Sequence, residues 1–180
     1  MALDWIGYEL HPETPPGGVP LDRYLPNADA MLRYVRSFAE RFGILDLVPP
    51  ARLASTRRIL AASERARDAG RLEPFRAAAF DAHWRKGLDV EADATLAAVA
   101  DEAGLEPSSA LEAASDVAIL ARVDAARARA LAAGVTGIPT FEIGAIRVVG
   151  CQPYEVLAAA ARKAGACRTK HQARGPAPTD

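Results

Sequence analysis

The fold of this chain is predicted by one stretch of sequence, Gly134-Val135-Thr136-Gly137-Ile138-Pro139-Thr140-Phe141-Glu142-Ile143. A helix ends at Gly134, a short turn follows, and Ile138-Pro139 leads directly into an apolar strand. Proline at a strand entrance removes a backbone donor, so this strand end is predicted to lie at an edge or at a site kept open for a partner. The X-Pro bond is a candidate for the rare cis isomer, which would leave the backbone of Ile138 free to pair with an extended peptide.

Composition and charge exclude several classes of function. Of the 180 residues, 50% are apolar and 25% are charged, and the net charge is -1, which predicts a soluble globular protein without affinity for nucleic acid. No apolar run reaches the length of a membrane span. The first residues also lack the basic and apolar regions of a signal peptide. We therefore expect a protein that binds neither nucleic acid nor membranes.

The two cysteines, Cys151 and Cys167, do not form a Cys-x-x-Cys motif. If the residues between them are helical, they lie about 20 Å apart along the helix axis, whereas a disulfide needs Cα atoms within about 7 Å. Two separate thiols fit a reducing compartment, so a cytoplasmic location is expected. No metal is expected either, because none of the histidines has ligand spacing with the cysteines. The histidines are His11, His83 and His171.

Helical periodicity dominates the middle of the chain. Residues 4–10 alternate loosely between apolar and polar and are predicted to form a strand. Six helices follow, each with apolar residues at spacings of three and four. They cover residues 28–42, 52–69, 73–86, 92–103, 108–115 and 117–133. Residues 140–143 and 146–149 are then predicted to form a β-hairpin, and a last helix has Pro153 at its first position.

Three segments in this order carry a family resemblance. Residues 5–15 are WIGYELHPETP, residues 56–105 cover part of the predicted helical region, and residues 134–141 (GVTGIPTF) precede the sequence VGCQPY at 149–154. Together they resemble the DsbA-like thioredoxin family. The match is to its cytosolic FrnE-like branch, which also contains the 2-hydroxychromene-2-carboxylate isomerases and kappa-class glutathione transferases. The third segment is the most specific of the three.

The resemblance implies an α/β thioredoxin-like fold, truncated at the N-terminus, with a large all-helical insertion. Residues 1–26 and 135–166 would form the thioredoxin-like core. Residues 27–134 would form the helical insertion subdomain, and residues 167–180 a disordered tail.

The chain departs from the family at its beginning. Family members start with a strand, then an active-site dithiol or serine, then a helix, whereas this chain begins at what resembles the second strand. The missing strand would be the central one of the sheet, between residues 4–10 and 140–143. A misplaced start site is the explanation we favour; a truncated chain and a strand supplied by another chain are the alternatives.

As a family member, the chain would be a thiol–disulfide oxidoreductase that exchanges protein disulfides. The resemblance assigns substrate docking to Gly137, Ile138, Pro139 and Thr140, and no catalytic residue, because the dithiol is absent. The chain as given is therefore expected to be inactive in that reaction. Cys151 lies just before a helix but has no second cysteine nearby, which favours a small residue at a strand end over a catalytic thiol.

Two other functions stay open. A glutathione-dependent isomerase or transferase would need a serine in place of the first active-site cysteine, and a chain without its catalytic element could be a non-catalytic binding module. No cofactor is expected, although glutathione remains open as a substrate or reductant. The expected partners are protein or small-molecule thiols and disulfides, with a homodimer left open.

Four polar residues have the pattern of ordinary surface positions. Arg57 and Arg58 are predicted to be charges on an exposed helix face rather than a carboxylate-binding site. His11 and Glu13 are predicted to be solvated residues of the turn that follows the first strand. None of the four is expected to be catalytic.

Overall fold

A computed structural model of the chain describes residues 3–166. The described residues divide into two compact units, one made of residues 6–133 and the other of residues 3–5 and 134–166. The predicted tail, with Cys167 and His171, lies outside the described residues.

The larger unit consists of seven helices and one very short strand pair. Strand β1 (Val19–Pro20) pairs antiparallel with β2 (Arg52–Leu53), with Val19 opposite Leu53. Between the two strands lie α1 (Leu21–Tyr24) and α2 (Ala28–Glu40). The remaining helices follow in order: α3 (Arg57–Asp68), α4 (Leu72–Trp84), α5 (Asp93–Glu102), α6 (Pro107–Ala113) and α7 (Val117–Ala132).

The core of this unit forms around α3, which packs against α4, α6 and α7. Its buried side consists mainly of alanines, and Ala61, Ala62 and Ala66 are fully inaccessible to solvent. Such small side chains let neighbouring helices approach closely, and larger residues then fill the space between them. Phe75 of α4 and Leu96 of α5 are the largest fully buried side chains among the described residues.

A buried charge ties the segment before β1 to this core. The Glu9 side chain is only 4% exposed, and its Oε2 accepts a hydrogen bond of 3.1 Å from Arg57 Nη1. Arg57 also donates from both Nη atoms to the carboxylate of Asp124, at 2.7 and 2.9 Å, while Arg127 Nε donates to the backbone oxygen of Glu9 at 3.1 Å. Arg57 thus joins the segment before β1, α3 and α7.

The smaller unit contains a hairpin and one helix. Strands β3 (Thr140–Ile143) and β4 (Ile146–Val149) pair antiparallel, with Phe141 opposite Val148 and Ile143 opposite Ile146. These four residues share one half-buried face of the hairpin. Helix α8 (Tyr154–Lys163) packs against β4.

The structure confirms most predicted elements. The hairpin has the predicted bounds, and every predicted helix from residue 28 onward exists. Helix ends agree within a few residues, apart from one start described below. The glycines predicted to end helices adopt left-handed backbone conformations, as at Gly43 and Gly134, with φ of 75° and 76°.

The predicted strand over residues 4–10 is wrong. This segment has no regular secondary structure, and no strand of the described residues pairs with it. A strand exists only through hydrogen bonds to a neighbour, and the expected central strand is not among the described residues. Side chains hold the segment instead, through the Glu9 contacts.

Two smaller predictions also need correction, and three short elements were not predicted. The helix predicted to start at residue 52 starts at Arg57, because Arg52 and Leu53 pair with β1 instead. No sequence pattern predicted β1, β2 or α1, because two- and four-residue elements are too short to show a period. Pro153 is the residue before α8 rather than its first residue.

Truncating the buried Leu96 should destabilise the larger unit strongly. We expect Leu96→Ala to lower the free energy of unfolding by about 2–5 kcal/mol, through lost burial and a cavity. Leu45→Ala is the matched control, because Leu45 is 81% exposed, and it should cost less than about 0.5 kcal/mol. Urea unfolding followed by circular dichroism measures both values, and equal losses would contradict the assigned core.

Removing the Arg57 guanidinium should cost more than removing the Asp124 charge. Arg57→Met leaves the Glu9 carboxylate buried without its cationic partner, so a loss of about 1–3 kcal/mol in unfolding free energy is expected. Asp124→Asn removes an exposed carboxylate and should cost less than about 1 kcal/mol. Urea unfolding at neutral pH again gives both values. A variant Asp124→Asn as unstable as Arg57→Met would show that the buried pair is not the anchor.

Candidate functional site

The loop before β3 brings the four predicted docking residues into one compact turn. The Ile138–Pro139 peptide bond is cis. Thr140 Oγ1 donates a hydrogen bond of 2.6 Å to the carbonyl oxygen of Gly137, and the N–H of Gly150, just after β4, donates to the carbonyl oxygen of Pro139 at 2.8 Å. The turn is therefore held at both ends by hydrogen bonds.

Ile138 has unsatisfied backbone groups at the centre of this turn. Among residues 3–166, neither its N–H nor its C=O has a hydrogen-bond partner, and the residue is 48% exposed. Buried backbone groups are nearly always paired, so these groups are either hydrated or open to a ligand. Ile138 is therefore a candidate site for backbone recognition.

The outer edge of β3, which follows Ile138 in the chain, also has backbone groups without a partner strand among the described residues. Pro139 is bonded to Gly150, so the next pair, Thr140 and Val149, occupies a position where backbone groups point away from the partner strand. In the described residues β3 pairs with β4 alone. The backbone groups of Thr140 and Glu142 thus face an edge to which an extended segment can add.

The side chains around the turn offer apolar contacts, and the nearby carboxylate of Glu142 is paired. Val149 lies opposite Thr140 and is 51% exposed, as exposed as Ile138. Glu142 accepts a hydrogen bond of 2.7 Å from Arg147 Nη2, its cross-strand partner. This surface can hold an extended segment but cannot by itself break or form a covalent bond.

Cys151 does not have the surroundings of a catalytic dithiol. It is an exposed free thiol between Gly150 and Gln152, three residues before α8 begins at Tyr154. Thiol–disulfide exchange also requires a second thiol to resolve the mixed disulfide. The residues that the structure describes contain no second cysteine.

Arg57 and Arg58 differ from the sequence prediction of exposed, solvated charges. Arg57 forms the buried contact with Glu9, and its pKa is raised mainly by its hydrogen bonds to Asp124, whose own pKa is lowered by the same guanidinium. Arg58 donates to the backbone oxygen of Glu91. No local pattern could have predicted these contacts, because the partners lie far apart in sequence.

The predicted turn residues His11 and Glu13 are joined by a hydrogen bond. His11 Nδ1 lies 3.3 Å from Glu13 Oε1 and 3.1 Å from the hydroxyl oxygen of Tyr24. The aromatic rings of His11 and Tyr24 also meet edge to face. These contacts fix His11 against α1, so His11 is not simply solvated, whereas Glu13 is exposed as predicted.

Two other kinds of site have no candidate within residues 3–166. No three His, Cys, Asp or Glu side chains in this range are grouped so that they could hold a metal ion. None of the helices described is both long enough and apolar enough to cross a membrane.

Comparison with known proteins places this geometry in a family. The chain superimposes on the crystal structure of a probable DsbA oxidoreductase from Streptomyces coelicolor with a TM-score of 0.75. The two are 24% identical, and the match covers 93% of this chain and 76% of the other, which shows a shared fold. No curated protein matches the chain.

The family profile supplies the stronger evidence. The profile of the DSBA-like thioredoxin domain matches residues 1–162, which include the helices, the hairpin and the Ile138–Pro139 turn. The fold is accordingly the DsbA-like thioredoxin fold, in which helices outnumber strands. The chain belongs to the DSBA-like thioredoxin domain family.

Proposed function

We propose that this protein is a thiol–disulfide oxidoreductase of the DsbA type and that these 180 residues provide its substrate-docking part. The observation that carries the proposal is the pair of unpartnered backbone groups at Ile138, next to the open edge of β3. Membership of the DSBA-like family makes a cysteine-containing protein segment the preferred ligand for that edge.

Docking would proceed by strand addition. An extended substrate segment would exchange main-chain hydrogen bonds with the N–H and C=O of Ile138, which gives affinity without demanding a particular sequence. The exposed side chains of Ile138 and Val149 would contact apolar residues beside the substrate cysteine. Gly137, Pro139 and Thr140 would shape the turn that presents Ile138.

The exchange reaction itself needs two neighbouring thiols, and this sequence has no Cys-x-x-Cys pair. A thiolate attacks one sulfur of the substrate disulfide, a mixed disulfide forms, and the other substrate sulfur leaves as a thiolate. A second thiol of the enzyme then attacks the mixed disulfide and releases the reduced substrate. The chain has two cysteines, Cys151 and Cys167, without a Cys-x-x-Cys pair, so we propose that it docks substrates without turning them over.

The family branch, the location and the cofactor are proposed from the sequence resemblance. We place the protein in the FrnE-like branch and in the reducing cytoplasm, with no cofactor of its own. The glutathione-dependent isomerases and transferases share the fold, and their activity is the alternative that the experiments below must separate. A non-catalytic binding module is the third reading.

The 180 residues alone should not catalyse disulfide reduction. In an insulin-reduction assay with dithiothreitol, we expect the rate of B-chain precipitation to equal the rate without protein, because the sequence has no Cys-x-x-Cys pair. Cys151→Ser serves as the matched control and should behave identically. Turnover that disappears in Cys151→Ser would contradict the proposal and make Cys151 a catalytic thiol.

The intact protein from its own cells separates the three readings. Its mass is measured before and after alkylation under reducing conditions. More alkylated thiols than the two of this sequence, together with insulin reduction, support the oxidoreductase. Two alkylated thiols with glutathione-dependent activity would support the isomerase or transferase, and two without any activity would support the binding module.

Substrate docking should protect the Ile138 amide. We expect the Ile138 N–H to exchange with solvent rapidly in the free protein and at least about tenfold more slowly when S-carbamidomethylated insulin B chain is bound, because strand addition gives this donor a partner. Hydrogen exchange followed by NMR measures the change. The Val148 amide, in the middle of β4, is the internal control and should not respond. Binding that leaves Ile138 unprotected would rule out this docking site.

A further inference from the structure

The hydroxyl of Thr140 already donates a hydrogen bond within the turn before β3. Its single proton is donated to the carbonyl oxygen of Gly137 at 2.6 Å, a short and therefore well-formed hydrogen bond. A hydroxyl in this state has no second proton to donate to a ligand. The Thr140 side chain is therefore poorly suited to donate a hydrogen bond to a substrate, although its backbone faces the open edge of β3.

We infer that Thr140 is a positioning residue that aims the Ile138 N–H at the substrate. The Gly137 carbonyl and the Ile138 N–H belong to the same peptide unit, which is planar. That peptide bond is trans, since Ile138–Pro139 is the cis bond found in residues 3–166. In a planar trans unit the C=O and N–H point in opposite directions, so holding the carbonyl oxygen fixes the direction of the N–H.

The surrounding contacts make this peptide unit the adjustable part of the turn. Thr140 is the first residue of β3 and lies opposite Val149, so the strand pair positions the backbone that carries its hydroxyl. The carbonyl oxygen of Pro139 is already bound by the N–H of Gly150 at 2.8 Å. Only the Gly137–Ile138 unit between these anchors depends on a side chain for its orientation.

Because residue 137 is a glycine, its backbone depends on the hydrogen bond from the Thr140 hydroxyl. Glycine has the widest choice of backbone conformations, and a Cβ at this position would meet no atom within 4 Å. Packing therefore does not restrain the Gly137 backbone on the side where a side chain would project. Without the Thr140 hydroxyl, the peptide unit that follows would be free to rotate, and the Ile138 donor would lose its fixed direction before a ligand arrived.

The inference rests on the proposed docking of substrate at Ile138 and adds the residue that prepares it. A donor that is oriented before binding loses less conformational entropy when the ligand arrives. Losing one hydrogen bond of this kind corresponds to a fivefold to tenfold change in affinity, on the order of the usual net value of a hydrogen bond.

The test compares two substitutions at Thr140. Thr140→Val keeps the shape and removes the hydroxyl, whereas Thr140→Ser keeps the hydroxyl. NMR titration with S-carbamidomethylated insulin B chain should show affinity about fivefold to tenfold weaker for Thr140→Val and within about twofold of the original for Thr140→Ser. The thermal midpoint of each variant is measured alongside, and a positioning role predicts that docking falls far more than stability does.

A measurement on the unsubstituted protein keeps the inference testable if Thr140→Val does not fold. The Thr140 hydroxyl proton should exchange slowly enough to be observed by NMR, as expected for a hydroxyl that donates to a carbonyl. Its absence because of fast exchange would overturn the inference.

The outcomes also separate this inference from the proposed function. If the unsubstituted protein does not bind the insulin B chain, docking at Ile138 fails. If it binds and protects Ile138 but Thr140→Val binds equally well, the docking site stands and the role of Thr140 is refuted. Weak binding by both Thr140→Val and Thr140→Ser would likewise refute it, because the hydroxyl would not be the group that matters.

Discussion

Close packing against the alanine side of α3 is the constraint on which the larger unit depends. Ala61, Ala62 and Ala66 are completely buried, so α4, α6 and α7 can approach one central helix on several sides. Interiors at this density tolerate few changes of volume. At the start of the same helix, the guanidinium of Arg57 donates a hydrogen bond to the buried carboxylate of Glu9.

The Glu9 contact explains how a segment without a strand partner is kept in place. A buried carboxylate is costly unless it is paired and hydrogen-bonded, and Arg57 provides both the charge and the donor. Arg127 adds a bond to the Glu9 backbone. Side-chain contacts from α3 and α7 thus replace the backbone ladder that the sequence pattern predicted for residues 4–10.

The smaller unit shows the opposite arrangement, in which backbone groups are left open. A two-stranded hairpin alone is marginally stable, and here α8 packs on β4 while the outer edge of β3 has no strand beside it among the described residues. At the end of that edge, hydrogen bonds from Thr140 and Gly150 fix the turn around Ile138. We propose substrate docking at this edge because hydrogen bonds hold the turn in place while the backbone groups of Ile138 have no partner among the described residues.

The sequence alone determined the helices from residue 28 onward, the hairpin and the Ile138-Pro139 turn. Their signals are local: a period of three to four residues, glycines at helix ends, and a tight turn at Gly144. Tertiary structure alone decided that residues 4–10 form no strand, that β1 pairs with β2, and which residues contact Arg57. Those features depend on contacts between residues far apart in the chain, such as Glu9, Arg57 and Asp124, and a strand pattern cannot reveal whether a neighbouring strand is present to pair with it.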